Sequence, residues 1–128
     1  MRWAMKPARA RSAALVGLAL ALGVGACGSS KRTQVKNGRL DLKMREYRLI
    51  PQRVDAKAGR LTIVVRGRGV LAHRLAIGRG RFALAQAATV FPGSTRTLTV
   101  RLPPGRYRLF CSLSNHDTLG MHGSVVVR

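Results

Sequence analysis

Four residues of this sequence stand out as candidate ligands of a transition metal: His73, Cys111, His116 and Met121. The last three follow the spacing Cys-x4-His-x4-Met, whereas His73 lies well upstream. Two imidazoles and a thiolate with a weak axial thioether form the ligand set of an electron-transfer copper site. Sulfur ligands favour Cu(I), and imidazole accepts either oxidation state, so one electron can pass with little rearrangement. The four residues therefore predict one copper ion per chain.

The segments that must position these residues have the period-two alternation of β-strands. Apolar and polar residues alternate most clearly in four segments, 40–45, 61–66, 97–102 and 106–111. The chain closes on a Val-rich segment, 123–128. Weaker strands are expected at 54–58 and 73–77, and the Ala-rich segment 82–90 is ambiguous between strand, loop and short helix. Seven or eight short strands in one domain predict an all-β sandwich or barrel.

The predicted ligands come together because of where the strands end. Cys111 ends a strand that shares its inward face with Leu109, so its sulfur should point into one end of the core. The next nine residues, 112–120, are loop-like, and Met121 leads into the last strand. Such a loop can bring its first, middle and last residues to one ion, with His73 closing the site from the side. Strand alternation should turn His122 away from Met121, and we expect Asp117 to cap its own backbone.

Residues 107–127 resemble the C-terminal copper loop of cupredoxins, the plastocyanin and azurin family of blue-copper proteins. Similar family segments lie upstream, at 47–51, 58–59, 69–77 and 102–107, so the resemblance covers residues 40–128. It implies a Greek-key β-sandwich with the copper site at one end. By the same resemblance, His73, Cys111 and His116 are the equatorial ligands and Met121 is the axial ligand.

The resemblance also implies a docking surface and shows one departure. An apolar patch around His116, the ligand nearest the surface, would consist of Val70, Leu71, Leu113 and Leu119. Family members often carry Asn or an acid directly after the first His, where it ties the two ligand segments together. This chain has Arg74 there, a departure that concerns the surroundings of the ligands and not the ligands themselves.

The N-terminal segment 1–26 has the features of a signal peptide. Residues 1–12 are basic, and residues 13–26 are all apolar or Gly, too few to span a bilayer. Residues 24–27 resemble the lipobox of bacterial lipoproteins, in which the Cys is lipidated, although ordinary cleavage after Ala26 also fits. We therefore expect a lipidated Cys27 with a flexible tether over 27–39 and a copper domain over 40–128. Such a protein is exported and lipid-anchored to the outer face of the bacterial cell membrane.

The charge of the chain is strongly positive, with 24 Lys and Arg against four acids. Four of the basic residues precede Ala13, which leaves a net charge of +16 for the rest. That charge attracts acidic proteins, anionic lipids or nucleic acid. We expect acidic redox proteins as partners of a monomer. Nucleic acid is not expected, because an exported domain rarely meets it and the Arg/Gly segment 66–81 lacks aromatic residues for stacking.

Several alternatives stay open. The ligand set does not separate an electron carrier from a protein that binds and delivers copper outside the cytoplasm, or from a structural domain with weak or no metal. Zinc also suits Cys and His, and a Cys27–Cys111 disulfide would remove both predicted cysteine roles. An enzyme is not expected, because four ligands leave no open position for a substrate and the chain contains four acids in all.

Overall fold

The computed structural model describes residues 31–128, and these residues form two β-sheets without a helix. Their ten strands are β1 (Thr33–Gln34), β2 (Arg39–Arg45), β3 (Arg48–Ile50), β4 (Arg53–Ala56), β5 (Gly59–Gly67), β6 (Leu75–Arg79), β7 (Phe82–Gln86), β8 (Thr95–Leu102), β9 (Gly105–Cys111) and β10 (His122–Val127). Within the described range, we find no helix with the length and apolar character needed to cross a membrane.

Both sheets are mixed. The six-stranded sheet has the order β1-β4-β10-β9-β6-β7, and the four-stranded sheet has the order β3-β2-β5-β8. The pairs β1–β4, β4–β10 and β2–β5 are parallel, and the other neighbours are antiparallel. The predicted all-β sandwich is therefore confirmed.

The core lies between the two sheets, and period-two alternation sends apolar side chains into it. In β2 the buried residues are Leu40, Leu42 and Met44, and the polar residues between them are exposed. The register sets Leu42 beside Val65 of the neighbouring β5. Each fully buried aliphatic side chain contributes about 1.5–3 kcal/mol relative to an exposed one, so this alternation largely decides which face of each strand points inward.

Two strand predictions change in detail near the site. His73 precedes β6 instead of beginning it, and it pairs only through an isolated bridge with Val90. The ambiguous segment 82–90 divides into strand β7 and an irregular stretch. His73 is thus held by a loop that two backbone hydrogen bonds to Val90, of 2.9 and 2.7 Å, fix in place.

The predicted tether over 27–39 is wrong for its described part. Residues Thr33 and Gln34 form β1 beside β4, and Lys36 bridges Arg39 across a tight turn. Asn37 and Gly38 occupy that turn with φ of 50° and 66°, the backbone of a two-residue hairpin for which Asn-Gly is the strongest sequence signal. The domain therefore begins before residue 40. The predicted signal peptide 1–26 and Cys27 lie outside the described residues.

Candidate metal centre

Three of the predicted ligands meet at one end of the sandwich. His73 comes from the loop between β5 and β6, Cys111 ends β9, and His116 lies in the loop between β9 and β10. The two Nδ1 atoms are 3.2 Å apart, and the Cys111 sulfur lies 4.0 Å from Nδ1 of His73 and 3.6 Å from Nδ1 of His116. All three residues are buried. Two imidazoles and one thiol thus point at a common centre.

The size of this triangle fits a first-row metal ion. Bonds of about 2.0 Å to nitrogen and about 2.3 Å to sulfur are typical of such ions. Trigonal geometry with those bonds requires about 3.5 Å between the nitrogens and about 3.7 Å from each nitrogen to the sulfur. The observed edges of 3.2, 4.0 and 3.6 Å lie within a few tenths of an ångström of these values. The three donors therefore need little rearrangement to hold an ion.

Met121, the fourth predicted ligand, is fully buried. Its backbone N–H donates to the carbonyl of His116 at 3.1 Å, and its carbonyl accepts from the N–H of Cys111 at 3.0 Å. The preceding Gly120 has a φ of +106°, which residues with a side chain rarely adopt. These contacts close the ligand loop on itself. The role of the Met121 sulfur as axial ligand stays a prediction.

The two ligand segments are tied together by the backbone at Arg74. The N–H of Arg74 points at the Cys111 sulfur at 3.5 Å, and its carbonyl accepts from the N–H of Ser112 at 2.9 Å. The Arg74 side chain donates instead to Thr89. Any residue type except proline supplies the backbone contacts, so the departure from the family at this position leaves the connection between the segments intact. An N–H···S contact of this kind is one of the means by which a protein tunes a thiolate ligand.

Glu46 is the residue of this site that sequence reasoning missed. It lies between β2 and β3, and its Oε1 accepts hydrogen bonds from the N–H of Leu71 at 2.7 Å and of Val70 at 2.9 Å. The same oxygen lies 3.2 Å from Nε2 of His73. The N–H of Leu71 first, then the N–H of Glu46 itself and the weaker contacts with His73 and Val70, lower the pKa of Glu46 from 4.5 to about 2. An ionised carboxylate therefore faces the ring nitrogen of His73 that points away from the other ligands.

The surroundings of His73 favour its neutral, metal-binding form. Burial lowers the pKa of His73, although the contact with Glu46 opposes this effect. The carboxylate accepts a hydrogen bond from a proton on Nε2 and so leaves the lone pair of Nδ1 free. A hydrogen bond from the second ring nitrogen to a carboxylate is the usual way in which a ligating histidine is fixed in tautomer and orientation.

The ligand loop is held to its sheet by an ion pair. Arg108 of β9 binds both carboxylate oxygens of Asp117, at 2.7 and 2.5 Å, and lowers the pKa of Asp117. The expectation that Asp117 caps its own backbone is therefore wrong, because a bidentate arginine lies within reach of its carboxylate. His122 is exposed, and its Nδ1 lies 3.1 Å from the carbonyl of Asp117, away from the ligand centre as alternation predicts. Cys111 is a free thiol.

The four residues of the predicted docking patch differ in exposure. Val70 is 83% exposed, Leu119 49% and Leu71 40%, whereas Leu113 is partly buried against the core. Tyr47, which sequence reasoning did not include, is 37% exposed, and its ring lies 5.1 Å from that of His116. His116 itself is only 9% exposed. Apolar side chains thus reach the surface close to the outermost ligand.

Comparison with known proteins identifies the family of this chain. A model of the cupredoxin-like domain matches residues 16–127. The chain belongs to the cupredoxin-like family. A search of curated protein sequences gave no significant match. A cupredoxin-like domain with this donor set implies one copper ion as its cofactor, for which His73, Cys111 and His116 form the candidate site.

Solved structures with the same fold include three auracyanins. Dithionite-reduced auracyanin from Roseiflexus castenholzii is 17% identical with a TM-score of 0.66, over 73% of this chain and 99% of that one. Auracyanin B is 16% identical with a TM-score of 0.65, over 77% and 91%. Auracyanin A from Chloroflexus aurantiacus is 17% identical with a TM-score of 0.60, over 75% and 100%. At these identities, the likeness of the cupredoxin-like domain to auracyanins shows the shared fold.

Proposed function

We propose that this cupredoxin-like protein is a type 1 (blue) copper protein that carries single electrons between redox partners. The observation that carries the proposal is the buried triangle of two Nδ1 atoms and one sulfur, with edges of 3.2, 4.0 and 3.6 Å. This is the trigonal His2Cys arrangement of electron-transfer copper sites. The fold neighbour auracyanin A is described as a "blue" copper protein, which supports the same function here.

The protein's own residues prepare the site for electron transfer. Copper, when bound, supplies the one-electron couple. His73, Cys111 and His116 would hold the ion, and Met121 would be the weak axial ligand. Because the Glu46 contact and the Arg74 backbone contacts fix the donors in place, the ligands need not rearrange between oxidation states, which keeps the barrier to electron transfer low.

We place the electron exchange at the exposed apolar patch beside His116. Val70, Leu71, Leu119 and Tyr47 would exclude water from a docked partner, and the short path from the surface to His116 suits transfer through that ring. The basic charge of the chain predicts acidic redox proteins as partners, with an association that weakens as salt is added. We further propose that the protein acts as a monomer, lipid-anchored through Cys27 at the outer face of the bacterial cell membrane.

A Cu(II) titration of the full chain tests the copper site. We expect an intense visible band from thiolate-to-copper charge transfer that saturates at one copper per chain. Cys111→Ser should abolish the band. The matched control is Cys27→Ser, which removes the other cysteine of the chain and should leave the band unchanged. A colourless protein, or an equal band in Cys111→Ser, would overturn the proposal.

Copper exchange separates the carrier from the copper-delivery alternative. The ligands are closed off from solvent, with exposures of 0% for His73, 1% for Cys111 and 9% for His116. A buried set of this kind should retain copper in both oxidation states. We therefore expect slow loss of copper to a soluble chelator, together with rapid oxidation and reduction by small redox reagents. Rapid transfer of copper to the chelator, in either oxidation state, would instead support delivery.

A further inference from the structure

The outward side of the four-stranded sheet carries a concentration of positive charge. Arg39 and Arg66 both bind Asp41, at 3.3 and 2.7 Å, and Asp41 is the one acid on the strands of this sheet. Five further basic side chains on the same side have no ion pair within residues 31–128: Lys43, Arg45, Arg48, Arg60 and Arg101. We call these eight side chains the basic face. Its net charge is strongly positive, and nothing in the copper site uses it.

The strand register places like charges opposite one another on the basic face. Arg60 of β5 lies opposite Arg101 of β8, and Arg45 of β2 lies opposite Arg48 of β3. Directly opposed side chains have Cβ atoms about 4.5–5.5 Å apart, and like charges in such positions destabilise a sheet. The fold itself gains nothing from these pairs. An anion that binds both guanidinium groups would offset the repulsion, so the arrangement suits an external polyanion.

Chemistry and shape favour a lipid surface as this polyanion. Guanidinium groups bind phosphate through paired N–H donors. Four strands about 4.8 Å apart present a face about 14 Å wide and, along the strands, about 25 Å long. Mobile phosphates of a bilayer can spread over such an area, whereas single-stranded nucleic acid uses aromatic side chains for stacking. Every outward position on the four strands is non-aromatic, and Thr62, Thr97 and Thr99 lie among the charges.

We propose that the basic face rests on the anionic headgroups of a phospholipid bilayer. The contact does not require copper, and so it stands apart from the electron-carrier function. It would lay the sandwich on its side, because the basic face is the side of a sheet and the candidate metal centre is at the end of the strands. The patch beside His116 would then face along the bilayer, within reach of a membrane-bound partner.

The test is partitioning of the full chain onto vesicles that contain about 30% phosphatidylglycerol, measured against vesicles of phosphatidylcholine. The variants are Arg60→Thr/Arg101→Thr and Arg45→Thr/Arg48→Thr, with Thr chosen because it already occupies outward strand positions. Each Lys or Arg near an anionic surface strengthens binding about fivefold. We therefore expect each double variant to lower the anionic-to-neutral ratio of partition coefficients about 25-fold.

The matched control is Arg81→Thr/Arg106→Thr, which removes two exposed arginines that lie on the other sheet or at its turn. Net charge falls by the same amount, and we expect less than about a fivefold effect. Melting temperatures of all variants establish folding; the face variants should melt no lower than the parent, because their like-charge pairs are removed. An equal decrease in the control, or no decrease in the face variants, overturns the proposal. The proposal is also overturned if the face variants lose affinity for duplex DNA while their binding to vesicles is unchanged.

Discussion

Replacement of Glu46 should weaken metal binding, although Glu46 is not one of the metal ligands. In Glu46→Ala, His73 loses the acceptor that lies 3.2 Å from its Nε2. The ring is fully buried, so water cannot easily replace that acceptor, and the N–H groups of Val70 and Leu71 also lose theirs. The imidazole can then turn or change its tautomer, and metal binding must first restore the productive arrangement.

The size of the effect follows from the hydrogen bond between Glu46 and His73. Removal of a hydrogen-bond partner of a ligating residue lowers metal affinity about 10–100-fold, which corresponds to about 1.4–2.7 kcal/mol. Glu46→Gln keeps an acceptor oxygen but not the charge, and a neutral hydrogen bond is roughly half as strong as a charged one. We therefore expect the Gln variant to lose about half of that free energy, a reduction in affinity of about 3–10-fold.

The assay is competition for Cu(II) between the protein and a chelator of known affinity, followed by the visible band. Asp41→Asn is the matched control, because Asp41 lies on β2, the strand that leads to Glu46, and its removal changes net charge equally. Its partners are Arg39 and Arg66 on the basic face. The reasoning is refuted if Glu46→Ala binds copper within about twofold of the parent, or if Asp41→Asn weakens binding as much.

Three further predictions concern the ligand connection, the core and the acids. Arg74→Ala should leave copper affinity within about twofold of the parent, because the backbone of Arg74 and not its side chain contacts Cys111 and Ser112. A decrease of about tenfold in the same competition assay is the size expected for a residue that orients a ligand, and it would contradict this prediction. Leu42→Ala removes a fully buried side chain and should lower the free energy of unfolding, measured by urea denaturation, by about 2–5 kcal/mol. A decrease below about 1 kcal/mol would argue against the assigned core. Arginine contacts lower the pKa values of Asp55 and Asp117 below 3.8, so these groups stabilise the fold above about pH 4 and lose that contribution as pH falls through their folded-state pKa values. Calorimetry should accordingly show a melting temperature that falls from about pH 5 to about pH 2 and falls less in Asp55→Asn; an unchanged melting temperature at the acidic end would show that these contacts contribute nothing.

The residues of the candidate metal centre could be proposed from sequence because most of them lie close together in the chain. Cys111, His116 and Met121 lie within one strand–loop–strand unit, where the ends of two adjacent strands fix the distance that the loop must close. His73 is distant in sequence, and the family resemblance marks it as the first ligand. The strand predicted to begin at His73 begins at Leu75 instead, so His73 lies in the loop before β6. The same local signals predicted the long strands β2, β5, β8 and β9, whose buried faces extend over many residues.

Features that depend on contacts between distant segments could not be read in this way. Glu46 reaches residues 70–73 only because β2 and β5 pair in one sheet, and nothing in its neighbourhood distinguishes it from a surface acid. Strand β1 has two residues, too few for any period, and it is held by the contacts of Arg32 and Gln34 with Asp55. A polar segment of this kind has the composition of a tether until its partner is known.

The placement of the four acids connects the basic charge of this cupredoxin-like protein with its site. Two acids hold the segments that carry the candidate ligands. Glu46 contacts the loop that carries His73, and Asp117, in the same loop as His116, ties that loop to Arg108 of β9. Asp55 fixes the N-terminal strand to the sheet, and Asp41 lies among the arginines of the basic face. Every acidic side chain therefore has a fixed contact. The negative charge that contacts the candidate metal centre is therefore one oriented carboxylate, that of Glu46 at His73.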